Sequence, residues 1–324
     1  MKTSAFALLA LVASAAAFAP ASVPFVKRSS TALNMADVTV SMIKELRGAT
    51  GAGMMDCKKA LIEHDGDSEA ATDWLREKGL SQADKKAARV AAEGKIAVAK
   101  SDEGKVVMVE VNCETDFVAK DETFMGFAVK AAEAALGADD IEALMESTDG
   151  DETLEATRQA LVSKIGENIQ VRRMAARGGE GTTVGSYIHL NRIGVLVELE
   201  GGTEELAQGV AMHVAAMNPA YATQDDVPAE DIEKETEFLT QQVAESGKPP
   251  EIVEKMVAGR LRKYLEEICL VSQTYVKTND KTVGKLLEES GATMKGFSRI
   301  AVGEGIEKKE EDFAAEVAQM AAGK

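Results

Sequence analysis

The residues with the chemical means to act are few. Cys113 is the obvious nucleophile, and His189 or His213 would have to serve as its base. A lone cysteine at the end of an apolar run is more often a small packing residue, so the thiol reading has a plain competitor. His64, His189 and His213 share no ligand spacing with Cys57, Cys113, Cys269 or one another, which argues against a metal centre. The glycines of "RGGEGTTVGS" lack the G-x-x-x-x-G-K-[ST] order of a phosphate loop, with no lysine before Thr182 or Ser186. "GAGMM", Gly51 to Met55, lacks the third glycine of a dinucleotide fingerprint and joins two helical stretches instead of following a strand. The sequence therefore offers no catalytic constellation and no metal site.

A different kind of site is offered by "VNCETDFVAKDETF", Val111 to Phe124. A near-alternating apolar run, Val106 to Val111, leads into a cysteine, two acids and a phenylalanine, and a helical segment follows. Two readings compete. In one, Asp116 caps the following helix and Phe117 staples beneath it. In the other, Phe117 is presented to something outside the chain. Met54 and Met55 pose the same choice at a helix start: one is core and the other merely exposed, or the pair is a soft contact for a partner helix.

These residues need a scaffold, and hydrophobic periodicity supplies its outline. Residues 37–80 read as three short helices. "VTVSMIKELRGATG" puts Val38, Met42, Ile43 and Leu46 at helical spacing, with Gly48 and Gly51 as stops. "MMDCKKALIEHDG" places Met54, Cys57 or Lys58, Leu61 and Ile62 on one side and ends at Gly66. "DSEAATDWLREKG" opens with Asp67 as N-cap and closes at Gly79. Residues 81–94, rich in Ala and Lys, read as a helical linker.

Residues 95–174, and then 175–228 with 280–305, read as two core halves related by a weak repeat. Val109-Glu110-Val111 lies on Val197-Glu198-Leu199, each in a strand that turns at polar residues into an Ala-rich helix. The first crossing is about three residues longer than the second, and loops held by a rigid scaffold commonly carry function. Between the copies come a helix to about Lys164, a glycine break and a strand from Ile169 to Met174. "GTTVGSYIHLNRIGVLVELE" reads as a β-hairpin and "FSRIAV" as a further strand. Residues 229–279 read as a helical hairpin, with Val253, Val257, Leu261, Tyr264 and Ile268 as its stripe and Pro249-Pro250 at its turn. Residues 306–324 read as a final helix, with acids toward its start.

The chain of 324 residues carries a formal charge of −17, and its first acid is Asp37. The part after residue 36 is more acidic still. Phosphate backbones repel such a surface, so direct nucleic-acid binding is not expected. Aromatics are 4% of residues, too few for base-stacking platforms. A protein partner or a small substrate fits better. Three cysteines, odd in number and far apart, suit a reducing compartment.

Residues 1–17 have one lysine, an apolar run and then small residues, the pattern of a signal peptide cleaved before Phe18. The run is too short to span a bilayer, so no membrane segment is expected in the mature form. Residues 18–34 are basic, hydroxylated and free of acids, as in a transit peptide. In tandem they resemble the bipartite presequences of algae whose plastid came from an engulfed alga, with "AFAP" at Ala17 to Pro20 as the cleavage motif. A plastid (chloroplast) destination is expected, ahead of a mitochondrion, with plain secretion as the alternative.

Six blocks carry a further resemblance: "TVSMIKELRGATGAGMMDCKKAL", "VNCETDFVAKDETF", "KIGENIQVRR", "RIGVLVEL" with "MHVAAMNPAY", "GKPPEIVEKMVAGRL" and "VGEGIEKKEEDFAAEVAQM". They closely resemble the elongation factor Ts family, the exchange factors for elongation factor Tu, in family order and over everything after Asp37. "TGAGMMDCKKAL" and "TDFVAKD" are the most specific. The chain departs from the family pattern at Gly48-Ala49, where a charged residue is usual, and at Leu190-Asn191 after His189.

The resemblance implies an α+β fold: a ubiquitin-associated-like three-helix module, a two-part core with related halves, a protruding helical hairpin and a C-terminal helix. It implies that Thr115, Asp116, Phe117 and Val118 form a tip that enters the GTPase domain of elongation factor Tu. There Phe117 would wedge between helices, dislocate the partner's Mg²⁺ and let GDP leave. Arg47, Met54 and Met55 would sit against a helix of the same domain. His189, the second core half and the C-terminal helix would contact other parts of the partner. The resemblance implies an exchange factor with no cofactor and no chemistry of its own. The alternative from another class is a binding module, in which the three-helix unit captures some other protein and the core is a scaffold. Nothing in the sequence excludes a homo-oligomer.

Overall fold

The computed structural model describes residues 38–150, 152–244 and 249–307. The presequence and nearly all of the helix expected over 306–324 lie outside the described residues. Within them the chain is α+β, with ten helices and small antiparallel sheets.

The first unit is a three-helix module of α1 (Val40–Thr50), α2 (Met54–Glu63) and α3 (Ser68–Lys86). Thr39 caps α1 by accepting from the Met42 amide, and Gly51, at φ 69, ends it. Asp67 accepts from the Glu69 and Ala70 amides at the head of α3, as its sequence position predicts. Ile43, Leu46, Cys57, Ala60, Leu61, Ala71 and Leu75 close a small core. Gly79 does not end α3, which runs on to Lys86. A mid-helix glycine costs about 1 kcal/mol relative to Ala; Gly79 faces a later helix, where a Cβ would meet Ser163 at 3.4 Å, an ordinary contact. Much of the expected linker is thus the last part of α3, and the first core strand begins at Glu93.

The first core half has strands β1 (Glu93–Lys100), β2 (Val106–Cys113) and β5 (Gln170–Arg177) in the order β1-β2-β5. Between β2 and β5 lie α4 (Glu122–Ala134), α5 (Ile141–Glu146), the short pair β3 (Thr148–Asp149) and β4 (Glu152–Thr153), and α6 (Leu154–Ile165). The second half has β6 (Thr182–His189), β7 (Ile193–Glu200) and β8 (Thr293–Ala301) in the order β6-β7-β8. Its insertion between β7 and β8 holds α7 (Glu204–Met217), the hairpin helices α8 (Ala229–Ala244) and α9 (Pro250–Ile268), and α10 (Val283–Glu289). In the hairpin, Val257 packs with Leu239 and Val243, flanked by Val253 and Leu261.

The repeat read from sequence is physical. In each half the second strand is central, leads through a connection into an α-helix, and bulges at the matched position: between Glu110 and Val111 against β5, and between Glu198 and Leu199 against β8. Alternation assigns the faces. Val107, Val109, Val111 and Cys113 of β2 pack with α4, and Val195, Val197 and Leu199 of β7 pack with α7. The opposite faces meet each other through Ile96, Val106, Met108, Val184, Leu196 and Ile300. The sheets approach so closely that a Cβ at Gly194 would lie 2.6 Å from Ile96 Cγ2. The result is four layers, helix on sheet on sheet on helix.

One carboxylate fastens this seam. Glu110 is fully buried on the inner face of β2. It accepts from Arg173 Nε at 2.5 Å, from Arg172, from Asn112 and from the Gly303 amide just beyond β8. A buried charge with this many partners is costly to strip of any one of them.

Candidate functional site

The connection from β2 to α4 spans residues 114–121, eight positions, whereas that from β7 to α7 spans 201–203, three positions. The difference is five, more than the sequence alignment suggests, because the first connection folds into a short 3-10 turn over Val118–Lys120. Phe117 stands at the start of that turn and is 81% exposed. It is not a staple under α4. Asp116 is not the cap of that helix either: Asp121 takes that place and accepts from the Thr123 and Phe124 amides. Asp116 instead accepts from Lys120 Nζ at 2.8 Å. That hydrogen bond draws its carboxyl below the usual carboxylate range, with a smaller contribution from the charge of Arg192. Val118 is half-buried and packs against the α4 core.

The base of the tip is tied down. The Cys113 side chain is buried, and its thiol donates to the Thr115 carbonyl at 3.2 Å. Thr115 donates its hydroxyl to Glu167 at 2.7 Å, and its hydroxyl oxygen accepts from the Val118 amide at 3.4 Å. The Glu167 carboxylate also accepts from the Glu114 and Thr115 amides. Glu167 and Asn168 are functional candidates that sequence reading missed. The sequence marks them only as part of the block "KIGENIQVRR", directly after Gly166, the glycine that ends α6 at φ 93.

Burial, helped by the charges of Glu167 and Glu93, pushes the Cys113 thiol up to about 12. A thiol of that kind is not a nucleophile near neutrality. Neither candidate base pairs with it. His213 is buried in the second half, where Nε2 meets Gln273 at 2.9 Å and Nδ1 accepts from the Val276 amide. His189 meets the hydroxyl of Tyr187. The thiol-enzyme reading has no geometry behind it. Of the glycines of "RGGEGTTVGS", Gly185 is where β6 meets α7, and a Cβ there would strike Gln208 N at 2.1 Å. No cluster of His, Cys, Asp and Glu that could hold a metal occurs among the described residues, nor any helix long and apolar enough to cross a membrane.

The other expected contacts are exposed. Met55 is 74% exposed and Met54 45%, at the head of α2, and Arg47 lies in the exposed last turn of α1. Thr50 and Thr123 line one cleft with Phe127 and Lys164. The α1–α2 corner therefore lies beside the first turn of α4, the helix that the tip leads into. His189 ends β6, followed by a turn in which Leu190 and Asn191 have φ of 50 and 61. Leu190 is 77% exposed. This turn is fixed to the start of β1: the Asn191 carbonyl accepts from the Ile96 amide, and Arg192 pairs with Glu93. Glu93 lies opposite Cys113 in the β1–β2 ladder. The His189–Leu190 turn and the Phe117 tip thus share one end of the molecule.

A model of the family described as "Elongation factor TS" matches residues 114–304, more than half of the chain. Elongation factor Ts of Thioalkalivibrio sulfidiphilus is 57% identical over 293 residues, covering 88% of this chain and 99% of the relative. Those of Alkalilimnicola ehrlichii and Xanthomonas euvesicatoria pv. vesicatoria are 54% and 53% identical over 289 and 290 residues, with the same coverage. The chain belongs to the elongation factor Ts family. The family match opens at Glu114, the first residue of the connection that carries the tip, and closes at Glu304, whose carboxylate meets Arg173 at the Glu110 seam. The alignments to these bacterial members of the family span almost their whole length, while part of this chain lies outside them.

Proposed function

We propose that this chain is the guanine-nucleotide exchange factor for elongation factor Tu in translation elongation. It binds the GDP-loaded partner, Phe117 wedges into the GTPase domain, the partner's Mg²⁺ loses its place, and GDP leaves. Nucleotide affinity in such a domain rests on Mg²⁺ bridging phosphate and protein oxygens, so displacing those ligands costs nucleotide binding without costing factor binding. The factor supplies no bond-making or bond-breaking step and needs no cofactor. The observation that carries this reading is the 81% exposure of Phe117 on a loop anchored at both ends. A rigid apolar ring on a stiff mount can transmit displacement. The tip as a whole comprises Thr115, Asp116, Phe117 and Val118, while Arg47, Met54, Met55 and His189 supply broader contacts.

The organellar setting is part of the same proposal. The matched relatives are bacterial and are aligned over 99% of their length, and the first 36 residues have the signal-plus-transit composition of a plastid presequence. The test of function is direct. Elongation factor Tu is loaded with a fluorescent GDP, the purified protein is added, and release is followed in real time. Acceleration is expected. Release at the spontaneous rate would leave only the scaffold reading.

A further inference from the structure

We infer that Glu167 is the positioning residue of the exchange tip: through Thr115 and the Glu114 backbone it holds the turn that presents Phe117. The inference rests on the function proposed above.

Gly166 ends α6 in a left-handed conformation, and Glu167 follows it toward the base of the tip. Its Oε2 accepts from the Glu114 amide at 3.1 Å and the Thr115 amide at 3.0 Å, and its Oε1 accepts from the Thr115 hydroxyl at 2.7 Å. The tie is reciprocal, since Glu114 Oε1 accepts from the Asn168 amide at 2.6 Å. The buried Asn168 side chain in turn donates to the Ala87 and Arg89 carbonyls, at 3.3 and 2.7 Å, in the stretch between α3 and β1. Two segments more than fifty positions apart therefore exchange carboxylates for amides, and the pair is braced on the exit of the three-helix module.

What this does to Phe117 follows from the turn. Thr115 provides its first acceptors: its hydroxyl takes the Val118 amide and its carbonyl takes the Ala119 amide. The Phe117 side chain has almost no cover of its own. A force on the ring must be resisted by the backbone beneath it, and the Thr115 end of that backbone is held by Glu167. Charge-assisted bonds from a carboxylate to amides are about twice as strong as neutral ones, which suits a clamp. The three hydrogen bonds of Glu167 run to Glu114 and Thr115, so the clamp it forms is local to the tip.

The test compares Glu167→Ala, Glu167→Gln and Phe117→Ala in the purified protein. GDP release from elongation factor Tu is titrated with each factor, giving kcat and KM, alongside melting temperature and amide hydrogen exchange. Glu167→Ala should lower kcat by about 10-fold or more, as small misplacements of a working group do, with KM within about 2-fold. Glu167→Gln, which keeps one acceptor oxygen, should recover part of the loss. Exchange at the Glu114 and Thr115 amides should quicken by about 10-fold while the β2 amides stay protected. Glu167→Ala added to Phe117→Ala should change kcat by less than about 2-fold, because both act through one ring. An unchanged kcat with faster amide exchange at 114 and 115 overturns the inference. So does a loss of kcat that only tracks a lower melting temperature and is not rescued by Gln. If Phe117→Ala itself leaves kcat intact, the wedge reading fails and this inference with it. If Phe117→Ala slows release and Glu167→Ala does not, the clamp alone fails.

Discussion

Replacing Phe117 by alanine separates a wedge from a core residue because the two give opposite results. A fully buried phenylalanine costs about 3–5 kcal/mol when truncated. Phe117 is 81% exposed, so about a fifth of its surface is covered. Scaling by that fraction puts the loss of fold stability below about 1 kcal/mol. For a protein of this size that is a fall in melting temperature of no more than about 3 °C. The functional loss should be far larger. An aromatic anchor at the centre of an interface is worth about 2 kcal/mol or more. If that energy is used to expel nucleotide, GDP release slows by about 30-fold, at 1.4 kcal/mol per decade. The assay is release of fluorescent GDP at saturating factor, paired with a thermal melt of the same preparation. Asp116→Ala should slow release by a smaller factor, and the double variant should be less than additive, since both side chains serve one displacement. A drop of about 10 °C, with normal exchange by the fraction that stays folded, would refute the reasoning and return Phe117 to the core.

Three further outcomes are expected. Met54→Ala combined with Met55→Ala leaves the module core of Leu46, Leu61 and Leu75 intact; it should weaken partner binding by about 10-fold or more in a calorimetric titration, and unchanged affinity would remove the α2 contact. Cys113 should resist thiol reagents at pH 8, because its folded value is raised from 9.0 to about 12. Folding favours the protonated thiol, so its stabilisation is complete below about pH 9 and is lost as pH rises toward 12. Urea melts of the protein and Cys113→Ala across that window should converge, while exchange activity at neutral pH stays close to normal. Residues 1–36 fused to a fluorescent reporter should reach the plastid, and Phe18→Ala should stall it in an earlier compartment; secretion or mitochondrial delivery would exclude the proposed address.

What the sequence disclosed depended on the range of the interaction. Asp67 and the Gly166 break are local signals, and each does its expected work. The end of α3 was not legible. Gly79 reads as a stop only if the glycine adopts a left-handed conformation, and here it stays helical while α3 runs on to Lys86. The cap of α4 was ambiguous for a related reason. Asp116 and Asp121 are both acids ahead of an apolar stretch, and the 3-10 turn between them decides which one meets the helix amides. Periodicity could not choose between core and tip for Phe117, since a single aromatic in a loop has no partner spacing to test. Glu167 was hidden for the deepest reason: its three hydrogen bonds reach across 52 and 53 positions, and no local pattern encodes them.

The duplicated scaffold suggests why the proposed wedge stands on one half only. Both central strands bulge at the matched place and hand the chain to a helix on the outer face. In the second copy Gly201 and Gly202, both at positive φ, turn the chain in the shortest way, and Thr203 caps α7 at once. Those three positions carry no large apolar side chain. The first copy spends eight positions on the same journey and uses them to lift one aromatic ring above a clamped base. On the proposed reading this asymmetry matters thermodynamically. Whatever factor by which the bound wedge weakens GDP, the nucleotide must weaken the factor by the same ratio. A stiff tip raises that ratio, because a ring that yields would bind the partner without disturbing its Mg²⁺. The same stiffness then makes incoming GTP an effective release signal. A second, identical loop on the other half would add affinity without adding to that coupling and would slow the factor's departure.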